Sequence, residues 1–249
     1  MVKFNQMAIH IYKSSDEVIQ GLANYFVDTV KTAIKKNGEC TVVLSGGNSP
    51  KKLYELLASP DYSQQIDWDK IYFFFGDERY VPFNDPANNG SMVKTTLFEP
   101  LMIPDANIFY INTAVAPDES AKKYSKRILS HFKNKPIQFD LILLGLGDNG
   151  HTASLFPHTP VLKEKKALIT AVYLEESSTY RITMTAALIN EAHAIAFLVY
   201  GATKANVVYE VLEGKKDPGY YPAQLIIPEE GTIHWFIDED AAQNLKIKE

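Results

Sequence analysis

A chain of 249 residues that is 46% apolar and 22% charged is long enough for a sizeable core and too apolar to be disordered. Its net charge of −5 and the lack of any long Lys/Arg run argue against nucleic acid as a partner, so an anionic ligand would need a locally positive pocket. Cys40 is the only cysteine, which excludes an intrachain disulfide. No leader peptide is expected at Met1–His10, and no run approaches the ~18 apolar residues of a membrane span. A reducing, cytoplasmic setting without a membrane partner is the expectation.

Ser14-Ser15-Asp16-Glu17 reads as a capping box, and Val18, Leu22, Phe26, Val30 and Ile34 then recur on one helical face until Asn37-Gly38 ends it. Cys40–Leu44 reads as a short buried strand. Ser49 and Pro50 supply an N-cap and a first-turn proline for a helix carrying Leu53, Leu56 and Leu57. Ile71–Phe75 is apolar on both faces, the habit of a strand inside a parallel sheet. Ser91–Phe98 and Asp118–Phe132 follow as helices, and Phe139–Leu144 as another apolar strand. Ala167–Leu174 and Ala194–Tyr200 are strands around a helical Ala186–Glu191. Ala202–Leu212 is helical up to Gly214, Thr232–Asp238 is a late strand, and Glu239–Leu245 a last short helix.

Strands and helices in alternation predict an α/β fold: a doubly wound, mostly parallel sheet with helices on both faces, Rossmann-like in type. One domain spanning 1–249 is expected, with room for a small subdomain in the C-terminal third.

The polar and glycine-rich segments follow the apolar strands directly. They are Ser45-Gly46-Gly47-Asn48-Ser49-Pro50, Gly76-Asp77-Glu78-Arg79, Gly145–His151 and Gly201-Ala202-Thr203-Lys204. Ligands of open α/β sheets bind at the carboxyl ends of strands, so four such loops form one coherent candidate site. The first loop is either an anion site at a helix N-terminus or a plain strand–helix turn. The second, a surface loop in isolation, gains weight from its position.

Gly145-Leu146-Gly147-Asp148-Asn149-Gly150 matches the G-x-G-x-x-G dinucleotide fingerprint. Pro157 soon after it, His151 in place of a small residue, and no acid about 20 positions on argue against a dinucleotide. An imidazole after a glycine loop at the ligand edge suits proton transfer. His151 and His158 do not have a metal spacing, so no metal is expected. Arg181 and Lys204 are plausible phosphate ligands beside such a loop.

The string Leu143–Pro157, with Gly150-His151-Thr152-Ala153-Ser154-Leu155-Phe156-Pro157 at its heart, closely resembles the signature of the 6-phosphogluconolactonases. So do Ser45–Pro50 and Asp77-Glu78-Arg79-Tyr80-Val81-Pro82. Asn89, Arg181–Thr185, the Lys204 region, Tyr221-Pro222-Ala223 and Trp235–Asp238 also fall in family order. The resemblance runs over nearly the whole chain. It implies hydrolysis of 6-phospho-D-glucono-1,5-lactone without a cofactor. His151 would be the general base, and Arg79 would stabilise the developing oxyanion or position the substrate. Asp77 and Asn149 would complete the catalytic group. Ser45, Gly46, Gly47, Asn48, Ser49, Asn89, Arg181 and Lys204 would bind the substrate and its phosphate.

The related glucosamine-6-phosphate deaminases have isoleucine after the histidine and tyrosine after Asp-Glu. Thr152 and Arg79 in this chain favour the lactonase. The lactonase pattern has aspartate immediately before Gly-His, where this chain has Asn149. Asp148 and Asp77 are the candidates to compensate for the missing charge, a point the sequence leaves open. A non-catalytic sugar-phosphate binder is the remaining alternative. A monomer or weak homo-oligomer is expected.

Overall fold

The computed structural model describes residues 6–246 except 134. In chain order its strands are β1 (Gln6–Tyr12), β2 (Cys40–Leu44), β3 (Ile71–Phe75), β4 (Asp77–Arg79), β5 (Leu141–Leu144), β6 (Ile169–Leu174), β7 (Thr179–Met184), β8 (Ala194–Val199) and β9 (Thr232–Asp238). The helices are α1 (Ser15–Asn37), α2 (Asn48–Leu57), α3 (Pro60–Ser63), α4 (Asn89–Val93), α5 (Pro117–Phe132), α6 (Ala186–Ile189), α7 (Ala205–Leu212) and α8 (Glu239–Ala242). None is long and apolar enough to cross a membrane.

Six strands pair in the order β1-β9-β8-β5-β2-β3, every pair parallel. Strands β2, β5 and β8 are buried along their whole length, so the centre of the sheet is covered on both faces. Helix α1 shows how the cover forms. Ser14 Oγ accepts the Glu17 N–H, and the Glu17 carboxylate accepts the Lys13 N–H. Between this cap and Gly38, which closes the helix at φ 81°, lie the buried residues Val18, Leu22, Phe26 and Val30. Each such side chain contributes about 1.5–3 kcal/mol of burial.

The chain runs from β2 to β3 on one side of the sheet and from β5 through β8 to β9 on the other. The direction of winding therefore reverses between β2 and β5, and a crevice opens at their carboxyl ends. The loops that flank this crevice follow β8, β5, β2 and β3, four neighbouring strands.

A second sheet, β4-β7-β6, is antiparallel. It meets the first at Gly76. Gly76 donates its N–H to Leu44 O and accepts from Met184 N–H, linking β2 to β7 across the chain reversal. Helix α5 braces the same corner: Tyr124, fully buried, exchanges hydrogen bonds with the Phe75 backbone.

Three expectations are corrected here. Asp77–Arg79 is a strand and not a loop. Its polar sequence conceals it, because Asp77 and Arg79 face a polar cavity and Glu78 is held by backbone amides instead of apolar packing. Helix α2 begins at Asn48 with Gly47 as its N-cap, two residues before the expected Ser49 cap. The last helix stops at Ala242, short of Leu245. Strands β1 and β7 were not expected at all.

Candidate active site

The crevice at the switch point is a cavity of about 380 Å³. Every expected site residue lines it except Asn149: Ser45, Gly46, Gly47, Asn48 and Ser49 from the β2 loop, Asp77, Arg79 and Asn89, His151, Arg181, and Lys204.

The β2 loop is held from below. Ser45 N–H donates to Tyr54 Oη at 3.1 Å, and the Tyr54 hydroxyl donates to Ser45 O at 2.7 Å. Gly47, at φ 108°, turns the chain into α2 without a side-chain cap. The first-turn amides of Asn48 and Ser49 thus have no capping side chain, and the first turn carries no acid. This composition would suit an anion at the helix N-terminus.

His151 is locked by its neighbours. Its Nδ1 lies 2.6 Å from Asn149 Oδ1, and its own backbone N–H donates to the same atom at 3.2 Å. A backbone donor fixes that atom as oxygen, so Nδ1 must carry the proton. The neutral imidazole then has its lone pair on Nε2. Phe156 stacks on the ring with centroids 4.2 Å apart. The ring lies over Gly147, where an added Cβ would come within 2.0 Å of it. No helix follows Gly150 directly, so the loop lacks the helix N-terminus a pyrophosphate would use.

Burial holds the His151 pKa below its ordinary value. Asp77 and Asp148 push it up, and Lys204 and Arg181 push it down. Asp77 is not in contact with the imidazole: its Oδ2 accepts the Ser154 hydroxyl at 2.6 Å. Asp148 is engaged elsewhere, 2.5 Å from Lys204 Nζ, which also donates to Leu146 O. Neither acid takes the place that a carboxylate at position 149 would have. Asn149 stands behind the ring and faces a neighbouring groove.

Arg79 and Arg181 lie directly opposite each other on β4 and β7. Like charges at such positions repel. Burial, and then Arg79 itself, lower the Arg181 pKa. Arg79 Nη1 donates to Ala87 O at 2.9 Å. Asn89 Nδ2 donates to Asp77 O at 3.0 Å, which leaves its Oδ1 buried and without a partner, as is Ser45 Oγ. Lys204 is tied to the His151 loop, so it braces that loop as well as lining the cavity.

Four residues that hold the site were given no role from sequence: Tyr54, Glu78, Ser154 and Phe156. Ser154 and Phe156 sit inside the Gly150–Pro157 string, and their spacing from His151 was the signal available.

The family model for glucosamine-6-phosphate isomerases/6-phosphogluconolactonase matches residues 13–235. A 6-phosphogluconolactonase of Synechocystis sp. is 42% identical over 221 residues, covering 87% of this chain and 89% of that protein. One of Nostoc sp. is 40% identical over 220 residues, with the same coverage of 87% and 89%. Among solved structures, the 6-phosphogluconolactonase of Trypanosoma brucei superposes with a TM-score of 0.85 at 27% identity, over 97% of this chain and 100% of that one. The chain belongs to the glucosamine-6-phosphate isomerase/6-phosphogluconolactonase family.

Proposed function

We propose that this protein hydrolyses 6-phospho-D-glucono-1,5-lactone to 6-phospho-D-gluconate, the second step of the oxidative pentose phosphate pathway. The observation that carries the reading is the imidazole of His151, fixed by Asn149 with Nε2 as its basic nitrogen, in a cavity that also holds an anion loop and two guanidinium groups.

In the step we propose, Nε2 takes a proton from water as the water oxygen bonds to the lactone carbonyl carbon. The carbonyl oxygen becomes an oxyanion beside Arg79, whose charge is worth most where it develops in the transition state. The bond from that carbon to the ring oxygen then breaks, and the imidazolium returns its proton to that departing oxygen, which becomes a hydroxyl. Water is consumed and one carboxylic acid is formed. The Asn48 and Ser49 amides, with Arg181, would hold the phosphate and so orient the carbonyl. A depressed His151 pKa keeps the base unprotonated at neutral pH. We propose a cytoplasmic setting, with neither nucleic acid nor membrane as partner and no more than weak self-association; the net charge of −5 supports the absence of nucleic acid.

The test is turnover of freshly generated 6-phosphogluconolactone, corrected for spontaneous hydrolysis, beside a glucosamine-6-phosphate deamination assay. Turnover of the lactone alone is expected. Deamination without lactone hydrolysis would overturn the proposal, and binding without either turnover would leave a non-catalytic sugar-phosphate binder.

A further inference from the structure

Glu78 lies between two residues of the cavity wall but is not part of that wall. Its side chain is 2% exposed, and among the described residues no cation forms an ion pair with it. Three backbone N–H groups satisfy it instead. Oε1 accepts from Arg79 at 2.8 Å and Asn89 at 2.7 Å, and Oε2 accepts from Gly90 at 2.8 Å. Two further bonds run alongside, Asn89 Nδ2 to Asp77 O and Arg79 Nη1 to Ala87 O. Strand β4 and the start of α4 are thereby laced into one unit that presents Asp77, Arg79 and Asn89 to the cavity.

We infer that Glu78 is a positioning residue for the reaction: its ionised carboxylate, shared among the amides of Arg79, Asn89 and Gly90, fixes the guanidinium and the carboxamide that meet the substrate. This rests on the lactonase reading above. Three donor partners favour the ionised form, in which both oxygens accept with full charge. A carboxylic acid would offer one of the three only the weaker oxygen of its O–H group, and a carboxamide would turn an NH2 donor towards an N–H and leave it without an acceptor.

Ionisation here is costly. Burial raises the Glu78 pKa to about 7, the three amides pull it down, and Asp77 adds to the rise. The charged or titratable groups facing it are Asp77 and Arg79 on its own strand, Arg181 on β7 and Tyr124 on α5. The unfolded chain ionises this group near 4.5 and the folded chain near 7. Between these values the folded state holds more protons, so stability falls as pH rises through that window. The positioned site is thus complete only where Glu78 is a stability liability.

The test uses the full-length protein and the variant Glu78→Gln. In the wild type, the acid limb of kcat/KM should show two ionisations, an upper one from Glu78 and a lower one from His151. In Glu78→Gln the upper ionisation should vanish, and kcat/KM at about pH 8 should fall about 10- to 100-fold, the scale of a misplaced catalytic group. Protection of the Asn89 and Gly90 amides against hydrogen exchange should fall, and the decline of stability between pH 4.5 and 7 should disappear. A variant with wild-type kcat/KM, or one that keeps the upper ionisation, overturns the inference. If Glu78→Gln does not fold, carboxyl NMR of wild-type Glu78 decides: titration together with the upper activity step supports the role, and titration apart from it overturns it. If the wild type does not hydrolyse the lactone, the functional proposal fails by itself, and amide protection still judges the lacing.

Discussion

Replacing Asn149 by aspartate puts a negative charge where a neutral oxygen now lies 2.6 Å from His151 Nδ1. The carboxylate keeps the acceptor geometry and the tautomer, so only the electrostatics change. Converting a neutral hydrogen bond to a charge-assisted one adds about 1–2 kcal/mol. That corresponds to about one pKa unit in favour of the imidazolium. The His151 pKa, now held below 6.5 by burial, should rise by about that amount. The base then becomes protonated at a higher pH, so the histidine limb of kcat/KM should move upward by about one unit. On the plateau above it, a more basic Nε2 should raise turnover by less than about tenfold. The assay is a ring NMR titration of His151 read beside kcat/KM from about pH 5 to 9 with fresh lactone. A His151 pKa that stays fixed or falls in Asn149→Asp would refute the reasoning and leave position 149 acting through geometry alone.

Removing the base with His151→Ala should lower kcat by about 10²- to 10⁴-fold while phosphate-ligand binding, measured by calorimetry, stays within a few-fold of wild type. Gly147→Ala drives a methyl group to within 2.0 Å of the imidazole, so kcat should fall about 10²-fold with the melting temperature affected less; unchanged turnover would mean that the ring does not work from this position. Ser154→Ala takes the hydroxyl that is bonded to the Asp77 carboxylate, and denaturant unfolding should register a loss of about 1–3 kcal/mol.

The fold could be read from sequence wherever burial was continuous. Strands β2, β3, β5, β8 and β9 are apolar runs, and α1 and α5 carry unbroken apolar stripes; these segments were identified with ends displaced by only a few residues. Strand β4 could not be read, since Asp-Glu-Arg carries no apolar period and its burial comes from hydrogen bonds to residues ten or more positions away. Strand β1 is an edge strand with Met7 and Ile11 exposed, so its alternation is diluted. For the site, residue types after strands were enough to gather the loops at one edge. Sequence had no access to the register that sets Arg79 opposite Arg181, or to the hydrogen bond that chooses the His151 tautomer. Asn149 raised a question about charge; in the structure its oxygen orients the ring, while burial and the surrounding charges set the imidazole's basicity.

The switch point between β2 and β5 has a consequence for how activity is gained. The β2 loop and the His151 loop are about 100 residues apart in the chain and meet only when Val42 and Val43 pair with Leu141 and Ile142. Parallel pairing at such a separation must overcome a large loop-closure entropy before any contact rewards it. The two halves of the cavity are therefore strangers throughout early folding. During refolding, turnover should return with the β2–β5 register and not with helix content, which makes the enzyme's own reaction a clock for the closing of its central sheet.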